Sequence, residues 1–160
     1  MPHITALLYT ANDGLRLGRA LETLRACEEI IVVDHDSSDA TLRIAREYGA
    51  QILLGKSSGD PSNYLQSARH NWILCLESRE SITEGLEATL YEWRSATDID
   101  TSATAFGVSI REETSDGWLE MPTPQTRLVP KTWNRWNGRL PAGDSSAITL
   151  EGKILHFSFP

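Results

Sequence analysis

Residues 29–41 read Glu29-Ile30-Ile31-Val32-Val33-Asp34-His35-Asp36-Ser37-Ser38-Asp39-Ala40-Thr41, and this stretch decides the fold class. The branched aliphatic run Ile30 to Val33 has no polar alternation, which suits a strand buried on both faces of a parallel sheet. A carboxylate, Asp34, closes the run, and Ser38 or Asp39 stands where a helix cap is wanted. Thr41, Ile44, Ala45 and Tyr48 then recur at helical spacing, and Gly49 is placed to end that helix.

The same alternation extends in both directions. Upstream, Ile4 to Tyr9 is an apolar strand closed by Thr10-Ala11-Asn12-Asp13-Gly14. Asn12 or Asp13 can cap a helix on which Leu17, Leu21 and Leu24 share a face. Downstream come a short strand at Gln51 to Leu54, a loop at Gly55 to Asp60 and a short helix at Ser62 to Arg69. Trp72 to Leu76 is a fourth apolar strand, again closed by a carboxylate, Glu77. Ser81-Ile82-Thr83-Glu84 has capping-box spacing, and Ile82, Leu86, Leu90 and Trp93 continue as a helical stripe. Strands alternating with helices predict an α/β domain with a mostly parallel sheet. Ser95 to Thr104 is polar, and beyond it the period is nearer two, at Ala105 to Ile110, Gln125 to Val129, Ala147 to Leu150 and Ile154 to Phe159. The expectation is one domain over residues 1–160, with a βα half at 1–94 and a β-rich half at 95–160.

Composition narrows the function classes. In a chain of 160 residues, 40% hydrophobic and 23% charged content supports a sizeable core and excludes disordered and fibrous classes. Lys and Arg number 15 against 22 Asp and Glu, a formal net charge of −7, so a basic nucleic-acid footprint is missing. No apolar run approaches the roughly 20 residues that span a bilayer, and the start lacks a signal-peptide pattern, so a cytoplasmic location is expected. Cys27 and Cys75 lie far apart in apolar surroundings and read as reduced core thiols. The phosphate-binding signatures G-x-x-x-x-G-K-[ST] and G-x-G-x-x-G are absent, as is the G-x-S-x-G nucleophile elbow.

Ligands of open α/β sheets bind beyond the carboxyl ends of the strands. Polar residues collect there: Thr10 to Asp13, Asp34 to Asp39 and Glu77-Ser78-Arg79-Glu80. Asp13, Ser38 and Asp39 serve equally well as caps or as ligand contacts. Asp34 and Glu77, directly after buried strands, favour a ligand role.

Taken as a set, Ile4 to Asp13, Glu29 to Thr41, Ile44 to Ala50, Asn71 to Glu80 and Gly152 to Phe159 resemble glycosyltransferase family 2. The likeness extends to the bacterial subgroup that adds sugars to lipopolysaccharide core. The resemblance implies the GT-A fold, a UDP-sugar donor, a glycan or glycolipid acceptor and transfer with inversion. It implies nucleotide contacts at Thr10, Asn12, Asp34, Asp36, Glu77 and Arg79, with Asp34 reading the uracil N3–H. The family's D-x-D motif holds ribose and a divalent cation (Mg²⁺ or Mn²⁺). Here that motif reads Glu77-Ser78-Arg79, with an arginine at the second acidic position. Asp144 matches the family's late catalytic base, although Gly143 replaces the usual preceding histidine. His156 is either a metal ligand near the diphosphate or a half-buried strand histidine. Arg127, Lys131, Arg135 and Arg139, interleaved with Trp133 and Trp136, form a basic aromatic stretch. Trp133, Arg135 and Trp136 either hold an anionic acceptor or pack into the core. The family's acceptors also imply association with a membrane's inner face. The departures at Asp36, Arg79 and Gly143 leave a second reading open, a non-catalytic relative that binds a nucleotide sugar or serves as a partner subunit.

Overall fold

A computed structural model describes residues 2–55, 61–96 and 104–159. Parts of the expected Gly55 to Asp60 loop and Ser95 to Thr104 segment therefore lie outside the described residues. The first half runs β1 (Ile4–Thr10), α1 (Gly14–Glu22), β2 (Glu29–Asp34), α2 (Thr41–Glu47) and β3 (Gln51–Leu54). It continues through α3 (Ser62–Leu65), β4 (Trp72–Glu77), β5 (Glu80–Ile82) and α4 (Glu84–Ser95). The second half holds β6 (Phe106–Thr114), β7 (Gly117–Glu120), β8 (Gln125–Pro130), β9 (Trp136–Asn137), β10 (Leu140–Pro141) and β11 (Ile148–His156).

One sheet carries the order β3-β2-β1-β4-β8-β6-β11-β5, with β7 added to β6. Its first four strands are parallel, as their unbroken apolar runs require. β8 then lies antiparallel to both β4 and β6, so the sheet becomes mixed where the sequence period shortens. β9 and β10 form a separate small hairpin. Every residue of β1 is buried, because helices cover both faces. Leu17, Ala20 and Leu21 of α1, Ala45 of α2, and Leu86, Leu90 and Trp93 of α4 pack on one face. Leu65 and Ala68, with Trp133, cover the other. Trp72, Trp93 and Phe106 meet at centroid distances of 5.1–5.7 Å and tie the two halves together. Such aromatic pairs contribute about 0.5–1.5 kcal/mol each beyond area burial.

Some expected boundaries move. Ile82 belongs to β5, not to the helix, and α4 starts later on Thr83, whose hydroxyl accepts from the Leu86 amide at 3.2 Å. Ser81 is buried in β5, so the Ser81–Glu84 capping box does not form. The two strands expected at Ala147 to Leu150 and Ile154 to Phe159 are one, β11, interrupted by a register shift between Thr149 and Lys153. Only Ser62–Leu65 of the expected 62–69 helix is helical. Among the described residues no helix is long and apolar enough to cross a membrane.

Candidate functional site

Parallel pairing fixes which residues meet at the strand ends. Thr10 lies opposite Asp34, and Tyr9 opposite Glu77, so β1, β2 and β4 deliver these residues to one edge. Asp34 is 2% exposed, and its carboxylate accepts from the Ser37 hydroxyl at 2.5 Å and the Ser37 amide at 3.1 Å. The Thr10 hydroxyl and, on the Tyr9 side of the sheet, His35 Nε2 are buried without a hydrogen-bond partner among the described residues. The His35 ring stacks on Tyr9 at 6.0 Å.

Hydrogen bonds between loops hold this edge in shape. The Asn12 amide donates to Ser37 Oγ at 2.9 Å, and Asn12 Oδ1 accepts from the Ser38 amide at 2.7 Å. Asn12 and Asp36 both take left-handed backbone, at φ 48° and 54°, a conformation few non-glycine residues hold without surrounding support. Asp36 sits exposed at the tip. Asp13 occupies the cap position of α1 but does not cap it with its side chain. Its carboxylate accepts instead from Ser78 Oγ at 2.8 Å, joining the β1 and β4 ends. Asp39 starts α2 by accepting from the Thr41 hydroxyl and amide, and those bonds hold its carboxyl below the usual range.

The turn after β4 separates its charges. Glu80, 1% exposed, takes a two-pronged contact from Arg127 at 2.6 and 2.9 Å and a bond from His156 Nδ1 at 3.0 Å. The Glu77 amide adds a donor at 2.9 Å. Burial pushes the Glu80 carboxyl up, but the His156 and Arg127 bonds outweigh it and hold it at about 2. Glu77 Oε2 lies 3.6 Å from Arg139, whose guanidinium sits 5.1 Å over the Tyr9 ring. Arg79 is exposed, and its guanidinium makes no ion pair or hydrogen bond among the described residues. A cleft of about 200 Å³ opens beside this turn, bounded by Glu77, Glu80, Glu112, Gln125 and His156.

A divalent cation does not fit these residues. Among the described residues no three His, Cys, Asp or Glu side chains converge. Glu80 is already matched by a buried arginine, while His156 gives Nδ1 to Glu80 and keeps Nε2 uncommitted among the described residues. His156 is thus a half-buried member of the Glu80–Arg127 network.

The C-terminal expectations change in kind. Asp144 accepts from Ser146 Oγ (2.6 Å), the Ser146 amide (2.8 Å), Arg135 (2.6 Å) and Thr104 Oγ1 (3.2 Å). The Ser146 bonds first, and then Arg135, lower its carboxyl to about 2, so as it stands it is a fixed anion with little proton affinity. Trp133 is 8% exposed, donates to the Arg135 carbonyl at 2.6 Å and has the Arg135 guanidinium 4.3 Å over its ring. The ring packs into the core, in line with the second of the two readings open for it. Trp136 is half-buried and donates to the Trp133 carbonyl, while Arg135 is committed to Asp144. The basic stretch forms no common patch, since Arg127 is buried on Glu80 and Lys131 caps the Ala68 carbonyl. The sequence placed Ser37 and Glu80 only among the polar strand ends, and Arg127 and Arg139 only in the basic stretch, with no individual role for any of them. The available signal was Arg127, a charge inside the otherwise strand-like run from Gln125 to Val129.

No family model matches the chain. An uncharacterized glycosyltransferase of Rickettsia prowazekii is 30% identical over 91 residues, covering 54% of this chain and 31% of that protein. The lipopolysaccharide core biosynthesis glycosyltransferase LpsC of Rhizobium meliloti is 25% identical over 103 residues, covering 59% of this chain and 38% of the relative. The chain thus spans about a third of the length of these curated relatives. Among solved structures, S. aureus TarS 1-349 superposes with a TM-score of 0.53 at 16% identity, over 81% of this chain and 47% of that 1-349 chain. The sheet order, helix placement and this superposition give a GT-A-like α/β fold.

Proposed function

We propose that this chain, a GT-A-like domain resembling glycosyltransferase family 2, binds a UDP-sugar at the carboxyl ends of β1, β2 and β4. It transfers the sugar with inversion to a glycan or glycolipid acceptor. The observation that carries the reading is the Thr10–Asp34 edge, where a buried carboxylate lies opposite a buried hydroxyl that has no hydrogen-bond partner among the described residues. An orphan of this kind costs about 1–3 kcal/mol, a cost a base edge hydrogen-bonding there would relieve. Nucleotide contacts are assigned to Thr10, Asn12, Asp34, Asp36, Glu77 and Arg79. Asn12 and Asp36 act through the loop backbone they hold.

In the transfer step the acceptor oxygen bonds to the anomeric carbon as its bond to the diphosphate breaks. UDP leaves with the electron pair, and the acceptor proton passes to a base. Asp144 is assigned that base, on condition that the bound acceptor displaces Arg135 or Ser146 and restores its proton affinity.

The test is a panel of UDP-sugars with UDP release as readout and NMR of the product's anomeric configuration. The expected result is UDP release from at least one donor with inverted product, lost in Asp144→Asn while UDP still binds. UDP binding without any turnover would leave the non-catalytic reading, and neither binding nor turnover would end both.

A further inference from the structure

The charges around the turn after β4 do not add up to a cation site. Glu77, the first position of the degenerate D-x-D stretch, is faced by Arg139 at 3.6 Å. Glu80 is neutralised by Arg127 and bonded by His156, all within the buried network. What is left over is positive: the Arg79 guanidinium, exposed and without a partner among the described residues. Arg139 is 45% exposed and stands over Tyr9, the residue paired with Glu77, so it shares the Glu77 end of β4. A guanidinium is a planar fork of N–H donors that matches two phosphate oxygens at once, and it stays charged at every working pH.

We propose that Arg79, assisted by Arg139, holds the diphosphate of the donor directly, in the place of a divalent cation. The inference rests on the nucleotide-sugar reading above and specifies how that site handles the leaving group. With Glu77 facing Arg139, the surplus charge of the turn is the single one of Arg79, about half of what a divalent ion would bring. The two guanidinium groups also provide directional donors that stabilise the diphosphate as it departs. The remainder of the nucleotide, the uridine, is held separately at the Thr10–Asp34 edge.

Calorimetry of UDP and ligand-observed NMR of uridine, each with EDTA and then with Mn²⁺, test this on the full chain. Wild-type affinity for UDP should agree within about twofold in the two conditions. Arg79→Ala should weaken UDP at least tenfold and leave uridine binding and the melting temperature unchanged. Arg139→Ala should weaken UDP by a smaller factor. Arg79→Asp should lose UDP in EDTA and regain it on adding Mn²⁺. A tenfold or larger gain for wild-type UDP with Mn²⁺ would overturn the proposal, as would unchanged UDP affinity in Arg79→Ala. Absence of both uridine and UDP binding would overturn the nucleotide-sugar reading itself. Uridine binding with UDP no tighter would overturn only the arginine clamp.

Discussion

Glu80 is the residue on which the site's frame depends. Its carboxylate joins β5 to β8 through Arg127 and to β11 through His156, and it anchors the Glu77 amide. Removing one member of a buried ion pair strands the other, at a cost of about 3–5 kcal/mol. Glu80→Gln should therefore lower stability in urea by about that amount at pH 7. The folded-state carboxyl is depressed from 4.5 to about 2, so its contribution is complete above pH 4.5 and fades as pH falls from there towards 2. The gap between wild type and Glu80→Gln should narrow across that window. A gap that stays constant from pH 6 to pH 3 would contradict the assignment. This network was not legible beforehand, since Glu80 and Arg127 stand 47 positions apart and neither has a motif. Asp34 was legible, because a carboxylate directly after Ile30 to Val33 has only one end of the sheet to occupy.

Among the elements, β11 shows most clearly what local pattern hides. Glu151 and Gly152 interrupt its alternation and make one strand read as two. Gly152 has φ 101°, and a Cβ there would come within 2.3 Å of the Leu86 amide nitrogen and 2.5 Å of its Cα. Both obstacles are backbone at the start of α4, so neither can swing aside. Gly152→Ala should destabilise the protein by about 2 kcal/mol or more, from backbone strain and overpacking together. Thermal unfolding checks this, and a melting temperature equal to wild type would contradict it. β5 was hidden for a different reason: Ser81-Ile82-Thr83-Glu84 satisfies capping spacing, but pairing with β11 takes Ser81 and Ile82 into the sheet. The parallel strands β1, β2 and β4 were legible because burial on both faces leaves an uninterrupted apolar signature.

At the scale of the whole molecule, a net charge of −7 repels anionic ligands, so the proposed diphosphate donor needs local cations. The carboxyl end of β4 offers Arg79, with Arg139 of the β9–β10 turn beside it on Glu77. The opposite end of the sheet offers a polar cleft of about 300 Å³ bounded by Glu28, Glu29, Gly49, Gln51 and Arg69. There Glu29 already bonds Thr5 Oγ1 at 2.7 Å and pairs with Arg69 at 3.1 Å, so its charge is spent. The two ends are distinguished most directly by mapping amide chemical shifts of the ¹⁵N-labelled chain as UDP is added. The account predicts saturable shifts at Thr10 to Asp13, Asp34 to Ser38 and Glu77 to Glu80, with Glu28 to Ile30 and Gly49 to Gln51 unmoved. Shifts confined to the latter segments, or none at millimolar UDP, would contradict it.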